Sequence, residues 1–212
     1  MTDTALGYIH EFQPATAKGL PTLLLLHGTG GDEHDLLPLG RMLAPGAALL
    51  SPRGNVLERE MARFFRRFAE GVFDEEDVKR RAAELAAFVA AAAKEYGFAA
   101  ENVVAAGFSN GANIAGAVML LHPEVLRGGI LLRAQGVLAA PPAAPVAGDR
   151  HAFLSAGESD PIVTPGETEK LAAALRTAGA RVTLHWEAAG HIITRGDIAA
   201  ARDWLAALPS RS

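Results

Sequence analysis

The sequence predicts an α/β domain whose central sheet is mostly parallel and carries helices on both faces. Short apolar runs alternate along the chain with longer segments of helical periodicity, the order expected of a parallel sheet with crossover helices. The run 22–26 is apolar after its first residue, as in a strand that is covered on both sides. A chain of 212 residues suits one domain with a full core, and we expect residues 1–212 to form it.

The individual elements can be assigned from periodicity and end signals. The longest predicted helix is 74–96, because Asp74 can cap its start, acidic residues favour its positive end and Gly97 can stop it. The least regular stretches are 55–73 and the Pro- and Ala-rich loop 139–148. The other predicted helices are 35–43, 112–119, 165–178 and 196–208, and the predicted strands are 8–12, 22–26, 47–50, 102–106, 129–132, 151–155 and 182–186.

Composition and charge exclude several classes of function. The net charge of −4 and the lack of a long Lys/Arg block give no reason to expect a nucleic-acid partner. Cysteine is absent, which excludes disulfides, cysteine-based metal sites and a cysteine nucleophile. Residues 1–5 lack the basic start of a secretory signal, and no apolar run is long enough to span a bilayer. We therefore expect a cytoplasmic protein that does not bind membranes.

Residues 107–111, Gly-Phe-Ser-Asn-Gly, lie between a predicted strand and a predicted helix. A Gly-x-Ser-x-Gly motif in that context is the nucleophile elbow, a tight turn that strains the serine backbone and exposes its Oγ at the end of the sheet. Glycines flank the serine because a Cβ there would clash with the neighbouring strand and helix. The helix N-terminus beside the turn can stabilise negative charge. Ser109 is therefore the predicted nucleophile.

Two residues that can activate Ser109 each follow a later predicted strand. Asp160 and His191 come just after the ends of these strands, at the sheet edge where open α/β sheets place their sites. The order serine, aspartate, histidine is that of α/β-hydrolases. A histidine can take the serine proton near neutral pH, and an acid can hold the imidazole in one tautomer. Glu158 is a rival for the acid, with Asp160 preferred.

The intermediate of acyl transfer carries a negative oxygen, which two backbone N–H groups normally stabilise. One N–H belongs to the residue after the nucleophile, which is Asn110. The other should come from the glycine-rich loop 27–32, in which we choose Thr29. His27 is expected to order this loop by hydrogen bonds rather than to transfer protons.

The other histidines suggest no metal site. His34 either borders the site or starts a surface helix, with the second role preferred, and His185 alternates with apolar neighbours as a half-exposed strand residue. No pair of histidines has helical metal-ligand spacing together with acidic partners, so we expect no metal.

These motifs together resemble the phospholipase/carboxylesterase branch of α/β-hydrolases, which includes acyl-protein thioesterases and small bacterial carboxylesterases. The segments that carry the resemblance are 26–33, 51–56, 107–112, 157–161 and 190–191. The resemblance implies a lidless α/β-hydrolase fold. It also implies a catalytic triad and an oxyanion hole, formed by Ser109, Asp160 and His191 and by the backbone N–H groups of Thr29 and Asn110.

One departure from the thioesterase pattern bears on the substrate. Many thioesterases have Leu in the first oxyanion loop and a Gln followed by Gly-Gly after the serine, whereas this chain has Thr29 and the sequence Asn-Gly-Ala at 110–112. Together with the segment 63–67, these residues are more similar to the bacterial carboxylesterase subgroup. That similarity weakens the case for transferring an acyl-protein or phospholipid substrate from the thioesterases to this chain.

The stretch 55–73 is the expected source of the substrate pocket, because a lidless hydrolase must build its pocket from such a connection. Phe64 and Phe65 are adjacent and cannot share one helix face, so we expect one to pack inward and the other to line the mouth of the site. The alternative, which the helical spacing of Met61, Phe64, Phe65 and Phe68 favours, is that these side chains pack on the core. The arginines of this stretch are expected on a solvated face paired with Glu, with binding of an anionic substrate as the alternative: Arg59, Arg63, Arg66 and Arg67.

We expect a serine hydrolase that cleaves small carboxylic esters through an acyl-enzyme intermediate, without a cofactor. Hydrolysis of thioesters, lactones or C–C bonds by the same triad is the alternative activity, and a non-catalytic binding protein is the alternative class. The expected partner is a small-molecule ester. The sequence does not decide the oligomeric state, and a homodimer is one option.

Overall fold

The computed structural model describes residues 6–142 and 148–209, so the predicted loop 139–148 is described only at its two ends. Residues 1–5, on which the signal-sequence prediction depends, lie outside the described residues. Within the described part of the chain, no helix is both long enough and apolar enough to cross a membrane.

The described residues form strands and helices in the predicted alternation. The strands are β1 (His10–Gln13), β2 (Thr22–Leu26), β3 (Leu49–Pro52), β4 (Val56–Glu58), β5 (Met61–Arg63), β6 (Arg67–Ala69), β7 (Val72–Phe73), β8 (Val103–Phe108), β9 (Gly128–Leu132), β10 (His151–Gly157) and β11 (Arg181–Glu187). The helices are α1 (Leu37–Leu43), α2 (Glu75–Tyr96), α3 (Asn110–Leu121), α4 (Pro165–Thr177) and α5 (Arg195–Ala206), with a short 3₁₀ turn at Ala100–Asn102.

Seven strands of the described residues pair in one central sheet, in the order β1-β3-β2-β8-β9-β10-β11. All neighbouring pairs are parallel except β1 and β3, which are antiparallel at one edge. The predicted edge strand at 8–12 is thus present, shifted by two residues at its start. The other strands run in one direction, so their carboxyl ends lie at the same edge of the sheet. The segments that follow β2, β8, β10 and β11 all leave from this carboxyl edge.

Two hydrophobic cores cover the two faces of this sheet. Alternate residues of β2 enter different cores: Leu24 and Leu26 pack on the side of α2, α3 and α4, and Leu23 and Leu25 on the side of α1 and α5. All four leucines are fully buried. The apolar run in the sequence therefore reflects a strand covered on both sides, and the predicted α/β class is confirmed.

Helix α2 begins and ends where its local signals predict. The carboxylate of Asp74 accepts a hydrogen bond from the backbone N–H of Asp77 at 3.1 Å, which caps the first turn. Gly97 has a left-handed backbone, with φ of 70°, and its N–H donates to the carbonyl of Ala93. Both ends depend on residues within a few positions of the helix terminus, so the sequence alone was sufficient to place them.

The stretch 55–73 is more regular than expected, because it forms two small antiparallel hairpins, β4–β5 and β6–β7. The helical spacing of its apolar residues therefore does not correspond to a helix. The first hairpin turns at Arg59 and Glu60, whose φ values are 49° and 68°. A two-residue turn of this kind normally carries Asn or Gly, and neither is present here, which explains why the sequence did not predict it.

Candidate active site

Ser109 lies in the turn between β8 and α3, with φ of 51° and ψ of −115°, a backbone conformation that is strained for a residue with a side chain. The flanking glycines make this turn possible. A Cβ on Gly107 would lie 2.7 Å from the backbone of Gly111, and a Cβ on Gly111 would overlap the carbonyl of Leu26. The predicted elbow therefore has the expected geometry, with close packing of strand and helix on both sides of the serine.

The structure brings the three predicted side chains together. The Oγ of Ser109 is 2.9 Å from Nε2 of His191, and Nδ1 of His191 is 2.7 Å from Oδ2 of Asp160. With Asp160 as a carboxylate, Nδ1 carries the proton and Nε2 is left to accept from the serine hydroxyl. The rival acid, Glu158, has an exposed side chain and does not contact the imidazole in the described structure. Phe108 packs against the ring of His191, with centroids 5.2 Å apart.

Asp160 is buried, and its second oxygen is also occupied. Oδ1 accepts hydrogen bonds from the backbone N–H groups of Ile162 and Val163, at 2.8 and 3.0 Å. These bonds orient the carboxylate so that Oδ2 faces the imidazole. Asp160 therefore shapes the turn before α4 and contacts His191 with the same side chain.

The two predicted oxyanion-hole residues lie on adjacent segments. Asn110 starts α3 directly after Ser109, and Thr29 is in the exposed turn that follows β2. The turn and the elbow are closely packed. A Cβ on Gly28 would lie only 2.9 Å from the ring of Phe108, so little space separates the two segments. Within residues 6–142 and 148–209, the backbone N–H groups of Thr29 and Asn110 donate to no protein acceptor. Both donors are thus available to a ligand at this edge of the sheet.

His27 holds the Thr29 turn in place, as expected. Its Nδ1 donates to the carbonyl of Gly28 at 2.6 Å, and its Nε2 accepts from the backbone N–H of Gly54 at 2.9 Å. The ring is buried against Phe64. Desolvation lowers the pKa of His27 and outweighs the hydrogen bond to Gly28, so the ring is held in its neutral form.

Arg63 also contacts the turn that contains Thr29, through its guanidinium group. Its Nη1 donates to Oγ1 of Thr29 at 2.7 Å, and the backbone N–H of Gly30 donates to the carbonyl of Ala62, next to it. Arg63 is only 2% exposed and forms an ion pair with Glu58. Burial and the nearby charge of Arg67 lower the pKa of Arg63. The prediction that it belongs to a solvated face is therefore wrong, because its guanidinium is enclosed beneath the turn.

Phe64 and Phe65 are both part of the core. They are 1% and 0% exposed, and Phe65 meets the ring of Phe73 with centroids 5.6 Å apart. The expectation that one of the two is left at the mouth of the site is not met. The reason is that this segment is an extended link between two hairpins, bordered on one side by His27 and on the other by Phe73, so both faces of the chain are covered.

Among the described residues, neither His34 nor His185 takes part in the hydrogen bonds of the triad. His34 is exposed beside Glu33, and His185 is half-buried with Nε2 at 2.8 Å from Oε1 of Glu187. In the described residues, His185, Glu187 and Asp197 bring potential ligand atoms within 4.8 Å of one another. The Asp197 carboxylate is already occupied by hydrogen bonds from Arg133, Ser155 and Thr194. These partners leave it poorly suited to a metal ion.

The sequence matches the family described as Phospholipase/Carboxylesterase over residues 9–208. The chain belongs to the phospholipase/carboxylesterase family. As a member of this family it is an esterase-type hydrolase, and the resemblance predicted from its motifs is confirmed.

Proteins similar to this chain support the assignment to the family. The putative hydrolase MhqD of Bacillus subtilis (strain 168) is 43% identical, over 92% of this chain and 96% of its own. A Bacillus cereus carboxylesterase is 46% identical, with a TM-score of 0.89 over 92% of each chain. A carboxylesterase from Mesorhizobium loti is 35% identical, with a TM-score of 0.91 over 98% of each chain.

One buried residue next to the triad was not predicted from the sequence. Arg133 follows β9 directly and is 0% exposed, and its Nε donates to the carbonyl of Gly190, the residue before His191. The available signal was an arginine next to an apolar strand. That signal does not identify the acid which pairs with it, because Asp197 lies 64 residues further along the chain.

Proposed function

We propose that this protein hydrolyses small carboxylic esters in two steps through an acyl-enzyme on Ser109. The observation that carries the proposal is the continuous line of hydrogen bonds from Oγ of Ser109 through His191 to Asp160, at 2.9 and 2.7 Å. A serine hydroxyl needs a base within hydrogen-bond reach, and that base needs a third group to orient it. Membership of a carboxylesterase family supports the reaction class.

In the first step, Oγ of Ser109 attacks the ester carbonyl carbon while Nε2 of His191 takes the hydroxyl proton. Asp160 stabilises the imidazolium that results. The tetrahedral intermediate then collapses, the bond from carbon to the alcohol oxygen breaks, and His191 returns the proton to the leaving alcohol. The acyl group is now attached to Ser109.

In the second step, water takes the place of the alcohol. His191 removes a proton from the water as its oxygen attacks the acyl carbon, and the bond to Oγ of Ser109 breaks. The proton passes to Oγ, which restores the serine and releases the acid. No cofactor takes part in either step.

The negative oxygen of both tetrahedral intermediates would be met by the backbone N–H groups of Thr29 and Asn110. The N-terminus of α3 adds its dipole to this position, because Asn110 is the first residue of the helix. The contacts from His27 and Arg63 support the turn that contains Thr29. Fixed donors of this kind are worth about 3–4 kcal/mol each in transition-state stabilisation.

The surroundings of the triad favour a small ester with an apolar group. Among the described residues, three exposed apolar side chains belong to segments that form or contact the site: Ile162, Ile192 and Met61 are 42%, 62% and 39% exposed. Ile162 and Ile192 closely follow Asp160 and His191 in the chain, and Met61 lies within 3.7 Å of the Cβ position of Gly30. An exposed apolar rim can bind an alkyl or aryl group without enclosing it.

A fluorophosphonate probe and a panel of chromogenic esters test the proposal together. The wild type should label on Ser109 and hydrolyse short-chain or aryl esters, and Ser109→Ala should do neither. One thioester and one lactone in the panel decide whether the ester is the preferred substrate. A folded wild type that neither labels nor hydrolyses any member of the panel would show that the site is not a serine hydrolase.

A further inference from the structure

We propose that Arg133 is a positioning residue, which sets the distance between Ser109 and His191 by tying the histidine loop to the strand that borders the nucleophile. This inference rests on the proposed function, because it assigns Arg133 a role through the triad. Within the described part of the chain, the Arg133 side chain forms no hydrogen bond with Ser109 or the imidazole; its partners are Gly190, Ser155 and Asp197. Its influence passes through Gly190 on one side and Leu132 on the other.

On the histidine side, Arg133 and Asp197 anchor both ends of one short loop. Nε of Arg133 donates to the carbonyl of Gly190 at 3.0 Å, directly before His191. Oδ2 of Asp197 accepts from the backbone N–H of Thr194 at 2.7 Å, where α5 begins. The two anchors are joined to each other, because Nη2 of Arg133 donates to Oδ2 of Asp197 at 2.8 Å. His191 therefore lies on a loop whose two ends are fixed by one ion pair.

On the nucleophile side, the same corner of the chain supports Ser109. The carbonyl of Leu132 accepts a hydrogen bond from the backbone N–H of Ser109 at 2.9 Å. The next residue, Arg133, donates its own N–H to the carbonyl of Ser155 at 2.8 Å and has φ of 56°. The left-handed backbone turns the chain out of β9 so that the side chain reaches Asp197. Two adjacent residues thus connect the serine turn with the histidine loop.

Burial makes this connection stiff. Arg133 and Asp197 are both 0% exposed, and Nη1 of Arg133 also donates to Oγ of Ser155 at 2.8 Å. Desolvation raises the pKa of Asp197, but the hydrogen bonds from Arg133, Ser155 and Thr194 outweigh it, so that pKa is lowered and the carboxylate stays charged. Separating the two side chains would leave each buried charge uncompensated, which is costly in free energy. The Arg133–Asp197 pair therefore keeps one arrangement.

Arginine is required here because of the number and direction of its donors. A guanidinium can reach Asp197 with two nitrogens while its Nε reaches Gly190. A lysine carries one nitrogen at the end of a flexible stem, so it can pair with Asp197 but cannot also hold the carbonyl of Gly190. Arg133→Lys therefore keeps the charge pair and removes the contact with the histidine loop.

Arg127 provides a matched control at the other end of the same strand. Arg127 and Arg133 flank β9, and both are buried. Nη1 of Arg127 donates to Oδ1 of Asn102 at 2.7 Å, and Nη2 donates to the carbonyl of Pro209 near the end of the chain. These contacts lie at the opposite edge of the sheet from Ser109. Arg127→Lys should therefore lower the melting temperature without changing turnover.

The test compares the full-length wild type with Arg133→Lys and Arg127→Lys. Turnover of a chromogenic ester, the rate of fluorophosphonate labelling of Ser109 and the melting temperature are measured for each. Arg133→Lys should lower kcat and the labelling rate by about 10- to 100-fold, with KM changed by about twofold or less, because a misplaced base affects the chemical step. Arg127→Lys should retain both rates at a comparable loss of melting temperature.

A second variant separates positioning from stability. Arg133→Met/Asp197→Asn replaces the charge pair by neutral side chains, leaves no uncompensated buried charge and keeps a polar group at the start of α5. It should remain folded at the assay temperature and still label slowly. Wild-type labelling rates in folded Arg133→Lys and in the double variant would overturn the positioning role. The labelling rate reports on Ser109 and His191 even if no ester in the panel is cleaved, so failure of the ester assignment is a separate result.

Discussion

The side-chain oxygen of Asn110 accepts a hydrogen bond from the backbone N–H of Phe64 at 2.8 Å. Asn110 is 2% exposed and directly follows Ser109, so this bond ties the link between the two hairpins to the start of α3. The backbone N–H of Asn110 remains available to a ligand, while its side chain faces the interior. Phe64 therefore supports the nucleophile turn from the core and does not line a pocket.

Phe64→Ala and Phe65→Ala should each destabilise the protein by about 3–5 kcal/mol, the range for removing a buried aromatic ring. Phe68→Ala, at a ring that is 76% exposed, should change stability by less than about 0.5 kcal/mol. Urea denaturation at neutral pH measures all three. The relative rates on short and bulky esters should be the same in each folded variant. A change of ester preference in Phe64→Ala alone would show that Phe64 contributes to the pocket after all.

Ser109→Ala and His191→Ala should each reduce kcat by about a million-fold, the scale found when the serine or the histidine of a triad is removed. The double variant should be no slower than either single one, because the two side chains act as one unit. His34→Ala is the control, since His34 is exposed and outside the triad. Additive losses in the double variant would contradict a shared step.

Asp160→Asn should lower kcat by about ten-thousand-fold, because the amide favours the wrong tautomer of His191. Glu158→Gln, at the exposed neighbouring acid, should leave kcat close to that of the wild type. Steady-state rates on one ester, with circular dichroism as the folding control, compare the two variants. If Glu158→Gln were the slower enzyme, Glu158 would be the acid and the bond from Asp160 to His191 would be structural.

Stability should rise with pH through the range in which His27 titrates. The pKa of His27 is lowered in the folded protein, chiefly by desolvation, so the unfolded chain binds a proton that the folded protein excludes. The free energy of unfolding therefore falls as pH drops below about 6.5, until the lowered folded pKa is reached, with a slope of at most about 1.4 kcal/mol per pH unit. His27→Gln should flatten this dependence in urea denaturation between about pH 5 and 7.5. An unchanged slope in that variant would assign the effect to another group.

EDTA should not change the rate on any ester that the enzyme cleaves. His185, Glu187 and Asp197 bring potential ligand atoms together, but Nε2 of His185 and Oε1 of Glu187 are hydrogen-bonded to each other. The carboxylate of Asp197 accepts hydrogen bonds from Arg133 and Thr194. Chelation and re-addition of divalent ions, followed by steady-state rates, check this. Loss of activity on chelation with recovery on adding one metal would contradict the proposed cofactor-free mechanism.

The features that the sequence determined by itself are those with local causes. The four leucines of β2 indicate a strand covered on both faces, and Asp74 and Gly97 mark the ends of α2, through contacts within a few residues. The strained turn at Ser109 is likewise specified by glycines two positions away. Each of these signals acts over less than two helical turns, so reading neighbouring residues is enough to predict the element.

The tertiary structure alone decided which side chains the fold encloses. The hairpin turn at Arg59 and Glu60 carries none of the usual turn residues, and the burial of Phe64 and Phe65 depends on His27 and Phe73, which approach from other segments. Charged groups give the clearest case, because Arg63 is buried beneath Thr29 and Arg133 pairs with Asp197 across 64 residues of chain. A buried charge is stable only beside a group that compensates it. The strand order of the sheet determines which group lies there, and no local pattern in the sequence specifies that order.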